Sequence, residues 1–166
     1  MLIRPETPAD HAAIFDLTKA AFAPMAFSDG TEPQAINDLR NDGDLTLSLV
    51  ADIGEIIGHV AFSTGTISEG KGQWYALGPI SVRADKQRQG IGSAMAAEGL
   101  RKLSEMGAAG CVLIGNPQVY APMGFVSHGQ LTYGGLEPKF VQHLVLDGRS
   151  PKGEITFAPA LQEDHP

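Results

Sequence analysis

The chain has 166 residues, 43% of them hydrophobic and 19% charged, which fits one compact domain over residues 1–166 and excludes a disordered chain. Its net charge of −7 argues against binding to nucleic acid, and no apolar run approaches the roughly 18 residues that span a bilayer. With one cysteine, no apolar h-region near Met1 and no HxxxH spacing, the sequence predicts a cytoplasmic protein without a disulfide, a metal site or a membrane partner.

The N-terminal half of the sequence predicts a strand, two helices and a β-hairpin. The first helix has Thr7 as its N-cap, Pro8 in its first turn and Asp10 at the capping-box position. The first hairpin strand alternates apolar and polar residues, and the tight connection at 53–55 leads into the second. In chain order these elements cover residues 2–4, 7–22, 33–41, 45–52 and 56–67.

The C-terminal half predicts a βαβ unit, a short helix and further strands. Gly78 and Pro79 interrupt the first strand and predict a bulge, since proline has no N–H for a strand ladder. Gly99 lies on the apolar face of the following helix and predicts close packing there. Cys111 belongs to a wholly apolar strand, so we expect it to be a core residue. The elements cover residues 73–82, 90–106, 110–115 and 116–120, then strands within 129–148 and 153–159, with a frayed polar end at 161–166.

A glycine-rich turn at residues 86–92, KQRQGIG, joins a predicted strand to a predicted helix. The N-terminus of a helix carries free N–H groups and a partial positive charge, and glycine leaves room for a large anion. Five of the twelve basic residues lie in and around this turn: Arg83, Lys86, Arg88, Arg101 and Lys102. A pyrophosphate is the ligand favoured here, although the turn has neither the Lys-Ser/Thr of a P-loop nor the last glycine of a dinucleotide fingerprint.

The motif QRQGIG, residues 87–92, resembles the Q/R-x-x-G-x-G/A signature of the GNAT N-acetyltransferase superfamily. The segments LGPISVRADK before it and VLIGNPQVYAPMGF after it are similar to the matching segments of the bacterial small-acetyltransferase branch, across residues 77–125. The resemblance implies a GNAT-like acyl-CoA N-acyltransferase fold of the mixed α/β, or α+β, class. The central sheet of such a fold is mostly antiparallel and splits between a bulged strand and the parallel strand that follows.

The resemblance also implies acetyl-CoA as co-substrate, with no metal. The N–H groups that would hold the pyrophosphate belong to Arg88, Gln89, Gly90, Ile91, Gly92 and Ser93. Ile80, Ser81 and Val82 would pair with the pantetheine arm as an added strand does, and Ile80 would donate its N–H to the thioester oxygen. Asn116 would either bond this arm or only cap the short helix.

For catalysis, the resemblance implies direct attack of an amine on the thioester, with a tyrosine as the acid. Tyr120 stands at the matching position and would protonate the leaving thiolate, or else only pack beneath the arm. The bulged strand contains no carboxylate to act as base. His59, in a predicted central strand, would accept a proton directly or through water, or else be a satisfied core histidine. Asp29 and Glu32 would bind a cationic substrate or simply be solvated.

The sequence thus predicts an acetyl-CoA-dependent N-acetyltransferase that acts on a primary amine of a small molecule or peptide. The loop between the first two helices would cover the acceptor, and Phe22, Met25 and Phe27 would serve as this roof or as core. A non-catalytic acyl-CoA-binding sensor or partner module stays open, as do transfer to a hydroxyl and transfer of a longer acyl group. The resemblance leaves a homodimer open too, and no sequence rule identifies the acceptor.

Overall fold

The computed structural model describes residues 1–162, so most of the predicted polar end at 161–166 lies outside the described residues. Within them the chain forms eight strands and four α-helices. The strands are β1 (Leu2–Pro5), β2 (Leu45–Asp52), β3 (Ile56–Ile67), β4 (Trp74–Val82), β5 (Gly110–Ile114), β6 (Leu131–Thr132), β7 (Val141–Val145) and β8 (Gly153–Phe157). The helices are α1 (His11–Phe22), α2 (Glu32–Asn41), α3 (Ile91–Glu105) and α4 (Pro117–Tyr120).

Most elements begin and end close to the predicted residues, and β2 and β3 keep the predicted bounds. The first helix differs, because Pro8–Asp10 forms a 3₁₀ turn and α1 begins at His11. Asp10 still stabilises this start, since its carboxylate accepts a hydrogen bond from the Thr7 N–H at 2.8 Å. The strand predicted before β7 is reduced to the two residues of β6, and the chain turns soon after it at Gly134, where φ is +54°.

The strands form a mixed sheet with the order β1-β2-β3-β4-β5-β7, and β8 pairs with β3 and β6. Antiparallel pairing joins β1 to β2, β3 to β8 and β5 to β7, whereas β4 and β5 are parallel. The parallel register runs from Trp74 opposite Gly110 to Ala76 opposite Val112, although β4 continues to Val82. The predicted mixed α/β fold class is therefore confirmed.

The chain packs as two compact units, of which the first comprises Met1–Phe62 and Gly78–Gly99. One core cluster of this unit consists of Ile14, Ile36 and Val50. Gly99 of α3 lies against the ring of Phe62, and a Cβ added to Gly99 would be 2.1 Å from Phe62 Cε2. The close packing predicted at Gly99 is therefore confirmed.

The second unit comprises Ser63–Leu77 and the chain from Leu100 onward. Its buried cluster consists of Ile67, Trp74, Ala76, Ala109, Val112, Leu131, Val141, Ile155 and Phe157. Cys111 is fully buried in β5, and burial raises the pKa of its thiol, so it is a core residue as predicted. Among the helices of residues 1–162, none combines the length and the apolar character needed to cross a membrane.

Candidate functional site

The glycine turn ends at the start of α3. Gly90 has φ +83°, a conformation that favours glycine, and its carbonyl accepts the N–H of Ala94 at 3.0 Å as the first bond of the helix. The N–H groups of Ile91, Gly92 and Ser93 therefore lie in the first turn, where a helix offers no acceptor of its own. A Cβ on Gly90 would meet no atom within 4 Å, so the space beside this turn is open. The start of α3 can thus bind an anion through its backbone.

The positive charge of this turn comes from Lys86 and Arg88. Arg88 is exposed with φ +64°, Gln89 is exposed beside it, and neither cation forms an ion pair with a carboxylate within residues 1–162. Arg83 is already engaged, because its guanidinium pairs with Glu55 at 2.7 Å. Fewer of the five basic residues are therefore available to bind a ligand at the turn than the sequence suggests.

The end of β4 lies beside the start of α3. A Cβ on Gly92 would be 3.6 Å from Ile80 Cδ1 and 3.9 Å from Val82 Cγ2, so both side chains pack beneath the first turn of the helix. Ser81 lies between them in the strand and faces the other side of the sheet, where it is buried. The structure thus brings Ile80, Ser81 and Val82 close to the glycine turn.

His59 lies in β3 and is fully buried. Its Nε2 is 2.8 Å from Ser48 Oγ, whereas its Nδ1 has no hydrogen-bond partner among the described residues. Burial lowers the pKa of His59 to about 4. The negative charge of Glu6 opposes this shift, and the positive charge of Arg40 adds to it. The imidazole is therefore neutral at pH 7, and only one of its two nitrogens is satisfied within the fold.

Asn116 and Tyr120 belong to the second unit, at the two ends of α4. Asn116 caps the helix as predicted, because its Oδ1 accepts the N–H of Gln118 at 2.9 Å. The Tyr120 ring packs on Gly115, where a Cβ would be 2.5 Å from Tyr120 Cε2, and it meets the Phe125 ring edge-on at 6.3 Å. Burial raises the pKa of the Tyr120 phenol, so the hydroxyl keeps its proton at neutral pH.

Gln142 of β7 is a residue that sequence reasoning missed. It is 1% exposed, and its amide donates to the carbonyl of Gly115 at 2.9 Å. The N–H of Gly115 donates to the carbonyl of Phe140 at 3.0 Å, so the backbone beneath the Tyr120 ring is held from both sides. The one signal in the sequence was an amide side chain, followed by His143, between apolar residues of a predicted strand.

The loop between α1 and α2 exposes apolar side chains. Met25 is 40% exposed and Phe27 is 78% exposed, so the alternative that they belong to the core is wrong. The Phe27 ring contacts the Phe22 ring edge-on, with the ring centroids 6.5 Å apart. These residues stay available as a roof over an acceptor.

Two carboxylates stabilise the same loop. Asp29 Oδ1 accepts the N–H of Thr31 at 3.0 Å, and Glu32 Oε1 accepts the hydroxyl of Ser28 at 2.7 Å. Hydrogen bonds from Thr31 lower the pKa of Asp29. Both carboxylates therefore have a structural role, and a role in substrate binding stays a prediction.

Comparison with known proteins identifies close relatives. A model of the acetyltransferase (GNAT) family matches residues 11–125. The N-acetyltransferase YhbS of Escherichia coli (strain K12) is 37% identical over 153 residues, which are 89% of each chain. A crystal structure of a GNAT family acetyltransferase from Brucella melitensis in complex with acetyl-CoA has a TM-score of 0.85, 38% identity and 97% coverage of both chains. The structure of Escherichia coli YhbS with CoA has a TM-score of 0.86 and 32% identity, and the match covers 96% of this chain and 90% of that one.

Proposed function

Because this chain belongs to the GNAT acetyltransferase family, we propose that it transfers the acetyl group of acetyl-CoA to a primary amine of a small molecule or peptide. The observation that carries the proposal is the open first turn of α3, where Gly90 leaves space beside backbone N–H groups, with Lys86 and Arg88 close by in the sequence. An acidic protein that concentrates donors and positive charge at one helix start suits a polyanionic ligand.

Three consecutive residues of β4 take the pantetheine arm in this proposal. The pairing with β5 stops at Ala76, so the later part of β4 can bond an extended ligand through its backbone. Ile80, Ser81 and Val82 would lie along the arm, and the backbone groups of Ile80 and Val82, which point away from β3, would form these bonds. Pro79 has no N–H, so the N–H of Ile80 is the donor that we assign to the thioester oxygen, where negative charge develops during attack.

The acid in the proposed reaction is Tyr120, and the base is His59. A neutral amine attacks the carbonyl carbon, a C–N bond forms, the C–S bond breaks and the thiolate leaves. The Tyr120 hydroxyl carries its proton at neutral pH and would pass it to the sulfur. His59 is neutral at that pH, and its Nδ1, which has no partner within residues 1–162, would accept the proton that the amine loses.

Gly90→Asp tests the anion site, with Gly107→Asp as a matched control. Gly107 follows the other end of α3 with φ +82°, against +83° for Gly90, and a Cβ at either position would meet nothing within 4 Å. Both variants therefore strain the backbone alike, but only Gly90→Asp would place a carboxylate against the phosphates. We expect Gly90→Asp to abolish acetyl-CoA binding in calorimetry and Gly107→Asp to retain it.

Equal binding by both variants would contradict the assignment of the phosphate site. The same preparations are then assayed for thiol release against a broad panel of primary amines. Wild-type protein should release CoA with at least one amine, and Gly90→Asp should not. Acetyl-CoA binding without turnover on any amine would contradict the enzyme and favour an acyl-CoA sensor.

A further inference from the structure

A chain of hydrogen bonds runs from the buried His59 to the surface of the first unit. His59 Nε2 lies 2.8 Å from Ser48 Oγ, and Ser48 Oγ in turn bonds the carboxylate of Glu6. Arg40 donates twice to this carboxylate, at 2.9 Å to each oxygen, and His11 Nε2 lies 2.7 Å from Glu6 Oε2. Ser48 of β2, His11 of α1 and Arg40 of α2 thus contact the Glu6 carboxylate directly. His59 of β3 reaches it through Ser48.

The hydrogens in this chain can be assigned from chemistry. Burial favours a protonated Glu6, but the hydrogen bonds from Arg40 and Ser48 and the neighbouring positive charges outweigh it and lower the pKa of Glu6. Glu6 is therefore an ionised carboxylate that can only accept. Ser48 has one hydrogen and must donate it to Glu6, so its oxygen accepts the hydrogen of His59 Nε2. A neutral imidazole protonated at Nε2 has a bare lone pair at Nδ1.

The strand of His59, β3, is the sheet neighbour of β4, which carries the candidate thioester residues. The N–H of Arg83, just after β4, donates to the carbonyl of Ile57 at 2.8 Å, and only residues 68–73 connect β3 to its sheet neighbour β4. So short a connection requires antiparallel strands, from which we infer that Arg83 lies opposite Ile57. Two residues back along β4 and two residues on along β3, the same register puts Ser81 opposite His59 on one face of the sheet. The hydroxyl of Ser81 is also buried and also lacks a partner among the described residues. Two buried polar groups thus share one face, one residue beyond Ile80.

We propose that Glu6 and Ser48 are positioning residues that hold His59 in the Nε2–H tautomer, so that its Nδ1 accepts the proton of the attacking amine. This inference rests on the proposed acyl transfer and names how its base is prepared. As the C–N bond forms, the nitrogen becomes positively charged, its N–H bond breaks and an Nδ1–H bond forms, directly or across the Ser81 hydroxyl. The positive charge passes to the imidazole, where burial and the charge of Arg40 disfavour it and the negative charge of Glu6 favours it.

The tautomer is tested first, by NMR of the free protein with ¹⁵N-labelled histidine. The His59 ring should show one protonated nitrogen, Nε2, and one unprotonated nitrogen, Nδ1, near neutral pH. A protonated Nδ1 overturns the proposal whether or not the protein is an acetyltransferase. Ser48→Ala removes the acceptor that the Nε2 hydrogen has among the described residues and should mix the two tautomers, whereas Ser48→Thr keeps the hydroxyl and should preserve the single form.

The same two variants test the link to catalysis. At saturating acetyl-CoA, Ser48→Ala should lower kcat by about tenfold or more, with the Kd for acetyl-CoA unchanged, and Ser48→Thr should recover most of the rate. Thermal melts show whether each variant is folded at the assay temperature. A folded Ser48→Ala with wild-type kcat overturns the proposal. If the wild-type protein acetylates no amine while His59 shows the expected tautomer, the proposed function fails rather than the hydrogen-bond assignment.

Discussion

His59 stays neutral in the folded protein, which makes stability depend on pH. Its pKa is lowered to about 4 in the fold, against 6.5 for an ordinary histidine, so the unfolded chain takes up the proton first as the pH falls. The part of the free energy of unfolding that depends on a neutral His59 is complete above pH 6.5. It is lost progressively as the pH falls to about 4, by about 3 kcal/mol in total.

The measurement is urea unfolding of wild type and His59→Gln at about pH 7.5 and about pH 5. Wild type should lose more free energy of unfolding between these two pH values than the variant, by about 2 kcal/mol. Carboxylates with lowered pKa, such as Asp10 and Glu6, lose their stabilisation mostly at lower pH and are present in both proteins, so they contribute little to this difference. Equal losses in both proteins would mean that the fold does not lower the pKa of His59.

For single residues, the sequence predicts which side chain is unusual but not which residues it contacts. His59 was identifiable because it is the one histidine in a clear central strand. Its partner Ser48 is 11 residues away, and Glu6 lies 42 residues from Ser48, so the contact depends on the strand register and on the path of the chain before α1. The same holds for Gln142, whose acceptor Gly115 lies 27 residues away.

Elements are predicted well where the periodicity of the sequence agrees with the packing. β2 and β3 keep their predicted bounds because alternation and a tight turn both define them. α1 begins three residues after Pro8, since the first turn closes as a 3₁₀ turn around the Asp10 carboxylate, which Arg4 also binds at 2.7 Å. No periodicity could distinguish these two helical forms.

Helix α3 depends on a glycine at position 99. A Cβ there would be 2.1 Å from Phe62 Cε2 and 2.3 Å from Cζ, and the Phe62 ring is fully buried. Alanine is the better helix former by about 1 kcal/mol, but overpacking a core commonly costs about 1–3 kcal/mol. We expect the clash to prevail, so that Gly99→Ala lowers the free energy of unfolding by about 1 kcal/mol or more in urea titration.

Two further variants isolate the cause of that loss. Ala97→Gly, at an exposed position of the same helix, reverses the propensity change without altering the core and should cost about 1 kcal/mol. Combining Gly99→Ala with Phe62→Leu should cost less than the sum of the two single changes, because the smaller side chain leaves room for the methyl group. Strict additivity would show that the ring does not require this glycine.

The net charge of the protein has the same sign as the phosphates of the proposed ligand, so it disfavours their binding. At −7 the protein repels a polyanion at long range, so binding must depend on local donors and on Lys86 and Arg88. The sequence predicted this clustering of basic residues, but it could not predict that Glu55, 28 residues before Arg83, neutralises one of them. Opposite charges distant in sequence meet only through the fold.

Salt should therefore weaken binding of CoA even though the protein is acidic. Raising the salt concentration from about 0.1 M to about 1 M shortens the Debye length from about 10 Å to about 3 Å and screens both the local attraction and the global repulsion. We expect the local attraction to dominate, because Lys86 and Arg88 are near the phosphates and the acidic residues are spread over the chain. Calorimetry should then show Kd rising with salt.

Two variants, Arg88→Gln and Lys19→Gln, each remove one positive charge. Together they distinguish the local attraction at the turn from the effect of net charge. Arg88 flanks the glycine turn, whereas Lys19 is an exposed residue of α1. At low salt Arg88→Gln should weaken CoA binding about 1.4- to fivefold, since exposed charge pairs contribute about 0.2–1 kcal/mol, and it should flatten the salt dependence. Lys19→Gln should leave both nearly unchanged. If the two variants weaken binding equally, net charge governs the affinity, and the cations beside the turn have no special part in holding the phosphates.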